Sequence, residues 1–205
     1  MTRIVSGFAG SLALQVPKSG TRPTSDRVRE AVFSGLDARD VVRGARVLDL
    51  FAGSGALGLE AASRGASRVV LVEKSSAAAS VCRRNAEAVV RAAPKDARPT
   101  VDVRATAVQP YLSAASASAA RFDLVFVDPP YDLPDAELLA ALTALVPLLT
   151  EDAVVCVERS TRDGAPTVPD GLVLDRTRAY GETAVHYLTP SATEDIQPST
   201  VLDRS

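Results

Sequence analysis

The stretch Asp49-Leu50-Phe51-Ala52-Gly53-Ser54-Gly55-Ala56-Leu57-Gly58 decides the fold of this 205-residue chain. A short apolar run, Arg46–Phe51, leads into it. A helical pattern from about Ala56 to Arg64 leads out, and Gly65 ends it. The three glycines satisfy the pattern G-x-G-x-x-G between a strand and a helix, which marks a nucleotide cradle. Residues without side chains let the backbone turn tightly and pass close to a ligand, and the new helix presents free N–H groups to it. The next predicted strand, Arg68–Glu73, ends in a carboxylate placed to accept hydrogen bonds from ribose hydroxyls.

The same alternation continues outward. A helix is predicted over Ser75–Ala93, with Ser75 or Ser76 as its cap, and a strand over Thr100–Arg104. Ala107–Leu112 begins a helix that is expected to dissolve into a mobile Ser/Ala-rich connection over 113–120. Phe122–Asp128 reads as a strand, Asp135–Leu149 as a helix and Ala153–Glu158 as a fifth strand. Leu172–Arg178 and Thr183–Leu188 form a final pair around the turn Ala179–Gly181. Strands alternating with helices specify an α/β fold, a mainly parallel sheet covered on both faces, here with an antiparallel edge. Ligands bind such sheets at the carboxyl ends of the strands, near the switch point.

Before Gly44 the rhythm differs. Residues 3–6 and 11–16 read as short strands around a turn using Gly7 and Gly10, and Pro17, Gly20 and Pro23 then break the chain. Thr24 or Ser25 can cap a helix whose apolar face is Val28, Val32 and Leu36. After Thr189 the composition is polar, with Pro190 and Pro198, and a disordered tail is expected.

Composition limits the function classes. Hydrophobic residues at 46% and charged residues at 23% suit a soluble globular chain, and a net charge of −2 gives no global case for binding a polyanion. The charge is uneven, however. Arg3, Lys18, Arg22, Arg27 and Arg29 outnumber Asp26 and Glu30 in the first 35 residues, so a basic end sits on an acidic body. Cys82 and Cys156 belong to no CxxC pair and are expected to be buried, reduced thiols, as suits a cytoplasmic protein. No signal peptide, membrane span or metal-ligand cluster is expected.

Asp49 narrows the ligand. A carboxylate in the last turn of that strand would face a pyrophosphate badly, but it suits the ammonium of a methionine moiety. The glycine turn therefore favours S-adenosylmethionine over a nicotinamide dinucleotide. The second motif, Val125-Phe126-Val127-Asp128-Pro129-Pro130-Tyr131, ends another buried strand. Its prolines stiffen the backbone and donate no N–H, leaving the local carbonyls free to accept. The Asp128 carboxylate and the Pro129 carbonyl could accept both protons of an exocyclic base amine. Tyr131 offers a ring on which the base can stack.

Together, D-x-F-A-G-S-G and D-P-P-Y resemble the class I (Rossmann-like) methyltransferases that act on amino nitrogens. The N-terminal runs Arg3-Ile4-Val5-Ser6-Gly7 and Arg22-Pro23-Thr24-Ser25-Asp26-Arg27-Val28-Arg29-Glu30 narrow the resemblance to the RsmD family of bacterial 16S rRNA guanine-N2 methyltransferases. It covers residues 3 to about 188, and the second run is its most specific part.

The resemblance implies a methyltransferase domain over 44–189, preceded by an RNA-holding hairpin and helix over 1–43 and followed by a disordered tail over 190–205. It implies S-adenosylmethionine held by Gly53, Ser54, Gly55 and Glu73, with Asp49, Phe51, Ala52, Lys74, Thr106 and Ala107 completing the site. The guanine would lie against Asp128, Pro129, Pro130 and Tyr131. Arg3, Lys18, Arg22, Thr24, Arg27 and Arg29 are the expected RNA contacts. The partner would be 16S rRNA in the assembling 30S subunit, met by a monomer. Family members often carry Asn before the alanine after the third strand, where this chain has Thr106-Ala107.

Four rivals remain. A DNA adenine-N6 methyltransferase could use D-P-P-Y equally well, although such enzymes usually carry a separate base-recognition domain. Protein glutamine methyltransferases typically have Asn where Asp128 stands. A nicotinamide oxidoreductase would need a proton donor, and the single histidine, His186, sits in a terminal strand pattern. A non-catalytic assembly factor would have no use for an intact clamp.

Overall fold

A computed structural model describes residues 2–17 and 26–191. The small strands β1 (Thr2–Arg3) and β2 (Ala13–Leu14) pair antiparallel, and helix α1 (Asp26–Asp37) follows. Then come β3 (Arg46–Leu50), α2 (Ala56–Ser63), β4 (Arg68–Glu73), α3 (Ser76–Ala92), β5 (Thr100–Ala105), α4 (Val108–Ala117), β6 (Phe122–Val127) and α5 (Asp135–Leu145). Three strands finish the chain, β7 (Leu149–Ser160), β8 (Leu172–Tyr180) and β9 (Thr183–Pro190). The main sheet has seven strands in the order β5-β4-β3-β6-β7-β9-β8. Pairing is parallel from β5 to β7 and antiparallel from β7 through β9 to β8. Strand order reverses between β3 and β6, and a doubly wound sheet opens its ligand crevice at that reversal.

Alternate side chains of the central strands serve two cores, as the two-residue period of a strand requires. Val47, Val69, Leu71, Leu124 and Phe126 face α1, α2 and α3. Leu48, Leu50, Val70, Val72, Val125 and Val127 face α4 and α5. Ile4, Ala9 and Leu14 of the N-terminal hairpin belong to the first core.

Several boundaries differ from the sequence reading. The hairpin strands hold only two residues each, because the Val5 and Ser6 N–H groups donate to the Glu60 carboxylate at 2.6 and 2.9 Å instead of extending a ladder. Residues 113–117 continue α4 rather than forming a mobile connection. Alanine is the best helix former, and Ala115 extends the buried face of Val108 and Leu112. The helix predicted to Leu149 ends at Leu145, and Pro147 lies in a 3₁₀ turn before β7. β9 runs on to Pro190, which pairs with Leu172, and the Ser191 N–H donates to the Gly171 carbonyl at 3.0 Å. The expected tail therefore does not begin at Thr189; from residue 192 onward it lies outside the described residues, as do the proposed helix caps Thr24 and Ser25.

Candidate active site

The glycine turn is built by backbone conformations that side chains resist. Gly53 and Gly55 have φ of 56° and 80°, and Phe51 also takes a positive φ, 63°. Gly58 answers to packing instead: a Cβ there would meet Leu71 Cδ2 at 2.3 Å, so only glycine lets α2 lie this close to β4. Glu73 organises the turn from the neighbouring strand. Its Oε2 accepts the Gly53 N–H at 2.9 Å and its Oε1 accepts the Ser75 N–H at 2.7 Å. Each carboxylate oxygen keeps a further lone pair for a ligand hydroxyl.

Asp49 is buried, and its Oδ2 accepts the Gly58 N–H at 2.9 Å. It thus caps the start of α2. Burial pushes its carboxyl up to about 8, with the charges of Asp128 and Glu73 adding to the rise and the Gly58 N–H opposing it.

A cavity of about 730 Å³ opens at the switch point, well within the size range of small-molecule sites. Asp49, Phe51, Ala52, Gly53, Ser54, Glu73, Lys74 and Ala107 line it, as expected. Gly55 and Thr106 are not on its wall. Gly55 is buried beneath the turn as the cap residue of α2, and the Thr106 N–H donates back to the Arg104 carbonyl at 3.1 Å. The wall also includes Val16, Pro17, Leu133 and Glu137, which sequence reasoning missed because no local motif marks them.

Asp128 and Pro130 line the same cavity. The register explains this: Leu50 of β3 pairs with Val127 of β6, so the glycine turn and the D-P-P-Y motif begin side by side. Pro129 and Tyr131 open instead on a small adjoining cleft, shared with Asp128, Pro130, Glu158 and Arg159. Tyr131 is 65% exposed, an unusual state for a large ring and one suited to stacking on a ligand from solvent.

The basic residues separate into two groups. Arg3 and Arg27 are exposed, and Arg3 lies 3.5 Å from Asp26. Arg29 is the correction: its side chain is fully buried, donates to Asp26 Oδ1 and the Arg3 carbonyl at 2.7 and 2.6 Å, and lies 3.8 Å from Glu60. It is a structural ion-pair residue and presents nothing to a phosphate. Lys18, Arg22 and Thr24 lie outside the described residues.

The remaining chemistry-bearing side chains lie elsewhere. Cys82 and Cys156 are buried free thiols, both pushed upward by burial. His186 is buried in β9 with Nδ1 2.9 Å from Thr177 Oγ1, off the cavity wall. Among the described residues no acidic, cysteine and histidine group could hold a metal ion, and no helix is long and apolar enough to cross a membrane.

This sheet order, with a glycine turn and an acidic strand end sharing one switch-point cavity, defines a Rossmann-like methyltransferase fold. Residues 2–189 match the family described as Conserved hypothetical protein 95. Ribosomal RNA small subunit methyltransferase D of Escherichia coli K12 is 37% identical over 183 residues, which are 89% of this chain and 86% of that protein. The Haemophilus influenzae protein of the same name is 31% identical over 180 residues, 87% of this chain and 89% of its own length. Among solved structures, a hypothetical protein of Thermus thermophilus superposes with a TM-score of 0.75 at 36% identity, covering 93% of this chain and 100% of that one. The chain belongs to this family, the RsmD family of methyltransferases.

Proposed function

We propose that the protein transfers a methyl group from S-adenosylmethionine to the exocyclic N2 amine of a guanine in 16S rRNA, within the assembling small subunit in the cytoplasm, acting as a monomer. The observation that carries this reading is the shared cavity: Asp49, Gly53 and Glu73 on one side and Asp128 and Pro130 on the other line a single space. The names of the curated relatives supply the RNA.

The residues present fit the cofactor. Glu73 keeps acceptor capacity for ribose hydroxyls while its backbone bonds fix its orientation. Asp49 supplies a buried acidic group for a cationic methionine moiety. When bound, S-adenosylmethionine supplies an electrophilic methyl group on a sulfonium.

The protein's own task is to make a poor nucleophile adequate. The guanine amino lone pair is delocalised into the ring. The Asp128 carboxylate and the Pro129 carbonyl accept hydrogen bonds from its two N–H groups, which localises the lone pair and turns it toward the methyl carbon. With S-adenosylmethionine bound, the methyl would pass from sulfur to nitrogen with S-adenosylhomocysteine as the leaving group, and Asp128 would stabilise the positive charge that develops on nitrogen and lie in place to take the surplus proton. Tyr131 holds the base by stacking, worth about 1–3 kcal/mol. Holding the two reactants in line supplies about 7–11 kcal/mol of the barrier. No covalent enzyme intermediate is needed. Arg3 and Arg27, with Lys18, Arg22 and Thr24, hold the RNA; in this reading residues 1–43 are the RNA-holding extension, and the methyltransferase domain runs from residue 44 through the end of β9 at Pro190.

The test is transfer of a labelled methyl group to small subunits purified from cells lacking the modification. Label on a guanine N2 is expected. Label on a DNA adenine, on a protein, or on no substrate would overturn the reading.

A further inference from the structure

Asn85, on α3, is buried and plays no part in the chemistry above. Its side-chain amide makes three hydrogen bonds. Oδ1 accepts the Gln15 N–H at 2.9 Å, and Nδ2 donates to the Gln15 carbonyl and to the Ser54 carbonyl, each at 2.9 Å. Exchanging the amide oxygen and nitrogen would set donor against donor and acceptor against acceptor, so the bonding pattern fixes the orientation.

One side chain therefore grips two separate segments. The first continues from β2, whose partner strand carries the exposed Arg3. Val16 and Pro17, next along that segment, line the cofactor cavity, and Val16 is 42% exposed there. The second is the glycine turn, held by Glu73 through the Gly53 N–H and by Asn85 through the Ser54 carbonyl. Glycine has little conformational preference of its own, so bonds of this kind set the shape of the turn. Among the described residues the hairpin pairing reaches no further than Leu14, and Asn85 bonds both backbone groups of the next residue, Gln15.

We propose that Asn85 is a positioning residue that couples the cofactor turn to the N-terminal hairpin, so that filling the cavity fixes the hairpin for RNA and bound RNA tightens the cofactor site in return. This rests on the cavity being the S-adenosylmethionine site and the hairpin an RNA contact. A ligand touching Val16, Pro17, Gly53 and Ser54 restricts both segments joined at Asn85. The coupling is reciprocal because it is a single free energy shared by two sites, typically about 5- to 150-fold in affinity.

The probe is S-adenosylhomocysteine, the product that lacks the transferable methyl. Binding of unmodified small subunits is measured with and without it, for wild type, Asn85→Leu and Gln15→Pro. Asn85→Leu removes all three bonds at similar volume. Gln15→Pro deletes the N–H that Asn85 accepts, together with one exposed bond from Arg84 Nε to the Gln15 side chain at 3.0 Å, at an exposed residue that follows an extended strand residue, and leaves the core untouched. In wild type S-adenosylhomocysteine is expected to tighten subunit binding at least about 5-fold. Both variants are expected to lose most of that gain while still binding the probe and unfolding cooperatively. A residue that merely filled space would lower stability in Asn85→Leu and leave the gain intact in Gln15→Pro; that result would overturn the proposal. Amide exchange over residues 13–17 gives a readout free of RNA: slowing by the probe in wild type and not in Asn85→Leu supports the coupling, and equal slowing in both overturns it. No calorimetric binding of the probe to wild type would overturn the cofactor reading itself, and the coupling with it.

Discussion

The Glu73 carboxylate accepts the Gly53 N–H at 2.9 Å, so the two ends of the cofactor motif, 20 residues apart in sequence, are bonded directly to each other. The proposed ribose acceptor and the turn proposed to approach the ligand are thus bonded into one unit. Glu73→Ala is therefore expected to weaken S-adenosylhomocysteine binding twice over, by losing the acceptor and by loosening the turn. Hydrogen bonds to a charged group are worth about 1.5–3 kcal/mol, so a loss of roughly 10- to 100-fold or more is expected in calorimetry. Glu73→Gln keeps an acceptor oxygen and should lie between. Unchanged affinity in the alanine variant would remove the ribose assignment.

Asp49 gives a pH dependence with a definite sign. Its folded value of about 8 stands above the ordinary carboxyl value of 3.8, so the folded, ligand-free protein holds a proton that the unfolded chain has lost. That contribution to stability is present at low pH and disappears as pH rises from about 4 to about 8. The cationic ligand prefers the ionised carboxylate, so binding should expel the proton. Affinity for S-adenosylmethionine is expected to rise between pH 6 and 8.5, with proton release seen as a buffer-dependent binding heat. Asp49→Asn should flatten both trends and leave the ligand-free protein at least as stable as wild type at pH 9. A pH-independent affinity in wild type would show that Asp49 acts only as the cap on Gly58.

In the proposed mechanism Asp128 carries the chemistry and little of the cofactor binding. Asp128→Ala is expected to lower turnover at saturating S-adenosylmethionine by at least about 10²–10³, the usual loss when one transition-state interaction is deleted. S-adenosylmethionine should still bind. Asp128→Asn should fall between, since its amide oxygen accepts a hydrogen bond without charge. Tyr131→Phe should stay active, because stacking needs only the ring, and Tyr131→Ala should not. Near-wild-type turnover by Asp128→Ala would sink the mechanism.

Arg29 and Arg3 should respond oppositely. Arg29→Ala removes one of the two cations beside the buried Glu60 carboxylate, leaving Arg64 at 2.8 Å, and it frees the Arg3 carbonyl and empties the space of a fully buried side chain, so a stability loss of about 2–5 kcal/mol is expected. It should appear as a lowered unfolding midpoint in urea. Arg3→Ala should barely move that midpoint. Instead it should weaken subunit binding and reduce the slope of log affinity against log salt by about one for each phosphate left without its cation. The reverse pattern would exchange their roles.

The two thiols should be dispensable. Cys82 packs against the glycine turn, where a Cβ added at Gly55 would lie 2.8 Å from its sulfur. Cys82→Ala and Cys156→Ala are expected to keep methyl transfer within a few-fold of wild type and to lose stability of the order of 1 kcal/mol, as small truncations of buried side chains do. Abolished turnover in a variant that still folds and binds S-adenosylmethionine would reinstate a covalent role.

Much of the site was legible because its signals are local. A glycine turn, a carboxylate closing the next strand and two prolines after an acid impose their geometry over a few residues, and Gly53, Glu73 and Asp128 lie where that pattern puts them. The alternation of strands and helices likewise determined the parallel sheet, because each strand must cross to its neighbour through a covering helix. Tertiary structure alone decided the rest. Arg29 reads as a surface cation in sequence, and only the packing of α1 against α2 buries it beside Glu60. No local motif marks Glu60, and it takes the N–H groups of Val5 and Ser6 and so limits the length of the N-terminal strands. Asn85, Val16 and Pro17 carry no motif, and they reach the cofactor site only because α3 and the hairpin meet at the glycine turn. Contacts between residues far apart in the chain depend on which faces pack together, and that is settled by burying the whole core at once, beyond the reach of any short stretch of sequence.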